Sequence, residues 1–293
     1  INQGLCDEIA LIDLNEEKVL GEVLDLSQSI EYMNRNTHVK VGRYEDCEDA
    51  QIVIITASVP TPQSGNDRLK MLEPSLNVMK SIITQIKEHH FDGHLIVVSN
   101  PVDLMSYYAY KLSGLPANQV IGTGTTLDTA RLKYFIAQKI QVDPRSVHAM
   151  VIGEHGDSEM IPWSTVRIGG KDIYSVVQDN QSRLGQEPYQ QMKKDTIQAG
   201  WEIFNRKGNT CYGIASSTVG IIRTILHNEN QILPVSTLLR GEYGQDDLFI
   251  SVPAIIDRSG VREIVELRMT PQEQEEFNQS CQRLKSFYDL LNQ

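Results

Sequence analysis

The chain lacks any apolar run long enough to cross a bilayer. Its longest strongly apolar stretches, residues 52–55 and 95–98, fall far short of the roughly 20 residues that a spanning helix needs, so no membrane partner is expected. Basic charge is also scarce. With 27 lysines and arginines against 38 acids the net charge is −11, which argues against nucleic acid as a partner, since its binders concentrate positive charge. The few cysteines, Cys6, Cys47, Cys211 and Cys281, show neither disulfide nor metal spacing and read as free thiols in a reducing cytoplasm. No basic, apolar leader opens the chain, so export is not expected, and no repeat or low-complexity segment occurs. What remains is an ordinary globular composition, 40% apolar, over 293 residues. That length holds one large or two modest domains, and two are expected.

Residues 8–13 (Glu-Ile-Ala-Leu-Ile-Asp) read as a buried parallel strand ending in an acid. Asn15 caps a helix bearing Val19, Val23, Leu24 and Leu26 at helical spacing. Strands follow at 37–41 and 50–57, and then a turn-rich loop at 58–68, long enough to be a lid. A helix over 68–90 carries Leu72, Leu76, Met79, Ile82, Ile83 and Ile86 on one face, with a kink expected at Pro74. Further strands are predicted at 95–98 and 119–121 and helices at 105–112 and around 127–133. Strand–helix–strand alternation implies a parallel α/β sheet, with ligands at the carboxyl ends of its strands. Beyond residue 158 the pattern becomes segregated. A hairpin at 166–173, helices at 188–206 and 212–227, and antiparallel strands at 232–239, 248–253 and 261–267 precede a final helix opened by Thr270-Pro271-Gln272-Glu273. This part reads as α+β.

The chemistry concentrates at residues 147–158, where an apolar strand runs into Gly153-Glu154-His155-Gly156-Asp157-Ser158. An imidazole exchanges protons near neutral pH, and flanking glycines let the backbone turn sharply. Upstream, Asp128 and Arg131 are three apart and share a helix face. Taken alone they make a surface ion pair worth a few tenths of a kcal/mol; aimed into a cleft they make a carboxylate and an anion clamp. A metal site on Glu154, His155 and Asp157 is weighed as well, although ligands so close in sequence seldom converge, and no metal is expected.

With Asn100-Pro101-Val102-Asp103, Leu127-Asp128-Thr129-Ala130-Arg131 and the Gly153–Ser158 motif in this order, the chain resembles the lactate/malate dehydrogenase family, most closely its bacterial L-lactate dehydrogenases. The likeness runs from about residue 3 to the last helix. It implies a Rossmann-type NAD-binding domain over 1–122 and a substrate domain over 123–293. It also implies a cytoplasmic homotetramer acting in glycolysis on a small 2-oxo or 2-hydroxy acid, with the helix at 15–27 in one interface. By this resemblance His155 is the acid/base at the substrate's C2 oxygen and Asp128 holds its ring. Arg131 grips the substrate carboxylate, and Arg68, carried on the loop, polarises the carbonyl. Asn100 and Thr210 match substrate-contacting positions. Asp13 matches the acid on the adenosine ribose, favouring NAD over NADP, while Lys18, Tyr44, Ser58, Asn100 and Thr123 match other cofactor-lining positions. Lys133 and His148 fall where relatives activated by fructose 1,6-bisphosphate bind phosphate, with lysine in place of the arginine usual there.

Three departures set further expectations. The family's glycine-rich phosphate loop and the strand before it would precede Ile1; we expect them to be missing from the sequence in hand rather than from the natural protein. The specificity position falls on Thr61, Pro62 or Gln63, with no second arginine before Arg68 to meet a dicarboxylate. Gly200 stands where lactate enzymes carry alanine, leaving room for a larger acid such as hydroxyisocaproate. Alternative readings are a broader 2-hydroxy-acid or malate dehydrogenase, a cofactor-free relative, and a metal hydrolase.

Overall fold

The computed structural model describes residues 1–59 and 68–291. The position expected to set specificity, at Thr61, Pro62 or Gln63, and the side chain of Arg68 lie outside the described residues. Strand β1 (Glu8–Leu11) leads to α1 (Glu16–Ser29), whose first turn is closed by the Asn15 carboxamide oxygen accepting from the Lys18 N–H at 2.9 Å. Strand β2 (His38–Val41) returns parallel to β1. The unit repeats through β3 (Ile52–Ile55), α2 (Arg68–Glu88), β4 (His94–Val97), α3 (Val102–Ser113) and β5 (Val120–Gly122), in which β3, β4 and β5 run parallel. Helix α2 runs on through Pro74, and α3 starts three residues before its predicted position, directly after Pro101.

Helix α4 (Thr126–Ile140) is followed by a small antiparallel sheet of β6 (Val147–His148), β7 (Arg167–Ile168) and β8 (Lys171–Asp172). Two short helices, α5 (Ile173–Asp179) and α6 (Gln181–Leu184), precede the expected α7 (Pro188–Lys207) and α8 (Tyr212–His227). The predicted antiparallel strands are β9 (Gln231–Arg240), β10 (Asp246–Asp257) and β11 (Gly260–Ile264). They do not form a separate layer: Gly122 of β5 pairs with Ser236 of β9, giving one six-stranded sheet in the order β11-β10-β9-β5-β4-β3. The β1–β2 pair is a second sheet, and Ile12 and Ile54, close to the edges of these two sheets, keep 44% of their surface exposed.

Alternation on the central strands fixes what covers each face. Leu95, Ile96 and Val97 are all fully buried, but Leu95 and Val97 join a core with Met79 and Ile83 of α2, Met105 of α3 and Phe277 of α9 (Pro271–Leu291). Ile96 points the other way, to Ile221 and Ile225 of α8. Such a side chain contributes roughly 1.5–3 kcal/mol through burial, which makes the sheet a rigid platform with helices on both faces. Helix α9 opens with the predicted capping box. The Thr270 N–H donates to Glu273 Oε2 at 2.9 Å, and the Glu273 N–H donates to Thr270 Oγ1 at 3.3 Å.

Candidate active site

The site is assembled where α4 and the loop after residue 152 meet. Ile152 and Met160 pair as an antiparallel bridge, so residues 153–159 form a closed loop between two main-chain ties. Gly153 is bridged to Ser251 of β10 through N–H to carbonyl bonds of 2.9 and 3.2 Å. Its φ is +95°, and a Cβ there would lie 2.8 Å from Ser280 Oγ, so glycine is required on both counts. The amino end of α4 is fixed to the strand leading into this loop, because the Val151 N–H donates to Thr129 Oγ1 at 2.8 Å.

That registration brings Asp128 under His155. His155 Nδ1 and Asp128 Oδ2 are 2.6 Å apart, and Arg131 Nη1 donates to the other carboxylate oxygen at 2.7 Å. Asp128 is 2% exposed, the Arg131 side chain 14% and the imidazole 25%. Nε2 of His155 has no hydrogen-bond partner among the described residues, so it is the nitrogen free to meet a substrate. Burial works against a charged ring, but the charge and hydrogen bond of Asp128, with Glu159 and Asp103 adding to them, hold the His155 pKa up at about 9. Burial likewise opposes the Asp128 carboxylate, yet its two cationic partners keep its pKa below the usual value. The result is an imidazole that is protonated at neutral pH, beside a guanidinium with further donors to offer an anion.

Two acids of this site were not foreseen from the sequence. Glu159 is 3% exposed; its Oε1 has no hydrogen-bond partner among the described residues, and it groups with Asp128 and His155 within 4.8 Å. Burial, and then the Asp128 charge, raise its pKa well above that of an ordinary glutamate. The only signal was an acid opening the apolar run Glu159-Met160-Ile161. Asp103 is the second: it accepts the His155 main-chain N–H at 2.8 Å. The metal set weighed from sequence is not brought together. Glu154 is engaged by the Ser158 hydroxyl and Arg283, and Asp157 by Arg283.

The remaining predicted residues are spread along strand ends. Ser58, Asn100 and Thr123 follow the carboxyl ends of β3, β4 and β5, with Asn100 exposed and Thr123 buried. Asp13 follows β1, with Lys18 at 3.6 Å, and Tyr44 is half-buried after β2. Thr210 is exposed between α7 and α8. Among the described residues, no hydrogen bond or ion pair links these seven side chains to the His155 cluster. A Cβ on Gly200 would meet the Arg131 guanidinium at 3.4–3.8 Å, so the missing methyl opens space beside that group. Lys133 carries no ion pair among the described residues, and burial lowers its pKa; His148 is exposed on β6.

Whether these residues suit NAD is tested at Asp13. Its side chain is 43% exposed, and the Asn15 N–H bonded to it holds its pKa low, so an ionised acceptor stands at a strand's carboxyl end. Such a group binds a ribose diol and repels a 2′-phosphate, which fits NAD.

An imidazole paired with a buried carboxylate, with a guanidinium beside it and a sheet covered by helices on both faces, is an arrangement suited to a dinucleotide-dependent oxidoreductase of small acids. Residues 1–122 match the family model described as lactate/malate dehydrogenase, NAD binding domain, and residues 125–291 match lactate/malate dehydrogenase, alpha/beta C-terminal domain. The chain belongs to the lactate/malate dehydrogenase family. It is 46% identical over 291 residues to L-lactate dehydrogenase 3 of Bacillus anthracis and 45% identical to an L-lactate dehydrogenase of Lactococcus lactis subsp. cremoris, each match covering 99% of this chain and 92% of the relative. The crystal structure of the minor L-lactate dehydrogenase from Enterococcus mundtii in its ligand-bound form superposes with a TM-score of 0.94 at 45% identity, covering 99% of this chain and 92% of that one.

Proposed function

We propose that this chain is an NAD-dependent L-lactate dehydrogenase that interconverts (S)-lactate and pyruvate. The observation that carries the reading is the 2.6 Å contact between His155 and a buried Asp128 that also binds Arg131. Bound NAD supplies the hydride acceptor, or in its reduced form the donor. His155 gives its proton from Nε2 to the C2 oxygen of pyruvate as the alcohol forms, and takes it back in the reverse direction. Asp128 stabilises the imidazolium and keeps Nδ1 protonated, so that Nε2 faces the substrate. Arg131 binds the substrate carboxylate through paired N–H donors, and Arg68 stabilises charge developing on the carbonyl oxygen. Asn100 and Thr210 contribute hydrogen bonds to the substrate; Asp13, Lys18, Tyr44, Ser58, Asn100 and Thr123 line the cofactor.

The same reading assigns 1–122 to cofactor binding and 123–293 to substrate binding, in a cytoplasmic homotetramer serving glycolysis. Apolar surface supports assembly: Leu20 and Leu24 on α1 are 45% and 53% exposed, and Trp201, Ile203 and Phe204 on α7 are also exposed. Fructose 1,6-bisphosphate is assigned to Lys133 and His148, and the half-buried Lys133 ammonium, without an ion pair among the described residues, favours an anion there.

Oxidation of NADH with pyruvate, 2-oxoisocaproate and oxaloacetate on one preparation tests the assignment. Pyruvate is expected to give the highest kcat/KM. Preference for the branched acid would move the enzyme to the hydroxyisocaproate type, with Gly200 as the cause, and preference for oxaloacetate would make it a malate enzyme.

A further inference from the structure

We propose that Asp103 is a positioning residue of this active site, whose buried carboxylate holds the His155 backbone in register with α4 and supplies part of the negative charge that the imidazole faces. The inference rests on His155 being the proton donor. Asp103 stands in the first turn of α3 and is 2% exposed. Its Oδ2 accepts the His155 N–H at 2.8 Å, and its Oδ1 accepts the Ser251 hydroxyl at 3.4 Å. Ser251 Oγ in turn accepts the N–H of Thr125, the residue just before α4, at 3.2 Å. One carboxylate thus reaches the loop that carries His155 directly and the helix that carries Asp128 and Arg131 through a single hydroxyl. His155 and Asp128 lie 27 residues apart in sequence and 2.6 Å apart in space, and this span adds to the Val151–Thr129 and Val151–Thr125 ties that hold their two elements together.

The backbone around the span is shaped for it. Gly124 has φ +50°, and a Cβ there would lie 2.4 Å from Ser251 Oγ, so a larger residue would displace the hydroxyl that links the two sides. The groups facing Asp103 come from the His155 loop, two strands and the last helix. They are His155 and Glu154 of the loop, Ser236 of β9, Ser251 of β10, and Cys281 and Tyr288 of α9. His155 is the cation in this set. The ring itself faces Asp128, Glu159 and Asp103. Burial pushes the Asp103 pKa up to about 6, leaving it ionised at neutral pH and above, where it favours the imidazolium. An amide could keep the hydrogen bond to His155 N–H but not this charge, which separates positioning of the acid–base group from simple satisfaction of a buried N–H.

The test uses Asp103→Asn and Ser251→Ala in the full chain, with His155 titrated by NMR of 15N-labelled histidine without cofactor. In D103N the imidazole midpoint is expected to move down by at least about 0.5 pH unit, and kcat for pyruvate to fall about tenfold while KM changes less than about threefold. In S251A the charge stays and the link to Thr125 is lost, so kcat falls while the midpoint holds. A folded D103N with an unchanged midpoint overturns the proposal; should D103N not fold, S251A with undiminished kcat does so. Absence of pyruvate turnover in the unsubstituted chain, or full activity in H155N, would instead sink the underlying reading, and the cofactor-free titration would still judge Asp103.

Discussion

Replacing Asp128 with asparagine removes, at nearly unchanged volume, the charge that His155 and Arg131 share. The rise of the His155 pKa from 6.5 to about 9 corresponds to roughly 3 kcal/mol of net stabilisation of the imidazolium, at about 1.4 kcal/mol per pH unit. In D128N the charge and charge-assisted hydrogen bond are gone while burial still opposes the cation, so the midpoint drops to 6.5 or below. At pH 7.5 the protonated fraction then falls from nearly complete to about one tenth or less, which by itself lowers kcat/KM for pyruvate about tenfold. Loss of tautomer control adds to this, for a total of about a hundredfold or more. The assay is the pH dependence of kcat/KM for pyruvate with NADH saturating. Activity should recover in part as pH falls from about 7.5 to 5.5, as the weaker base regains its proton. D128N with unchanged activity at neutral pH, or with its alkaline limb where the unsubstituted enzyme has it, would refute the reasoning.

Glu159, whose pKa burial raises, adds to the negative charge that the His155 ring faces, so E159Q should move the alkaline limb to lower pH; a limb left in place would mean that the acid carries no charge beside the ring. Because the folded pKa of His155 lies above its unfolded value, its pairing stabilises the protein fully below pH 6.5 and ceases to do so as pH rises through about 9. Urea midpoints of the unsubstituted chain should therefore converge toward those of H155N across that window, and curves that stay parallel would contradict the ion pair. If α1 forms an interface of the proposed homotetramer, introducing a charge on its exposed face through L24E should reduce the mass measured by light scattering below that of the unsubstituted chain, and an unchanged mass would remove α1 from the interface.

Local signals in the sequence carry through to the fold. The Asn15 and Thr270 caps, the alternation of strands and helices, and the i, i+3 pairing of Asp128 with Arg131 all follow from short-range stereochemistry and appear as expected, whereas β1, read as a buried strand, has no buried residue. The single-pair junction of Gly122 with Ser236 does not, because nothing in either segment says that β9 will continue a parallel sheet rather than begin a separate layer. The same limit applies to the site. The contact of His155 with Asp128 follows from family resemblance, not from spacing, while neither the apolar run after Glu159 nor the motif that ends in Asp103 says that these acids lie beside His155. Their places are set by long-range ties such as Gly153 to Ser251 and Val151 to Thr129, which only the folded chain reveals.

The most direct test of the account is kcat/KM for pyruvate as a function of pH in the unsubstituted enzyme, with NADH oxidation as the readout. The account predicts a plateau through neutral pH that falls as one proton is lost near pH 9. Turnover that stays flat well beyond that point, or a limb that remains in H155N, would contradict the assignment of His155 as the proton donor.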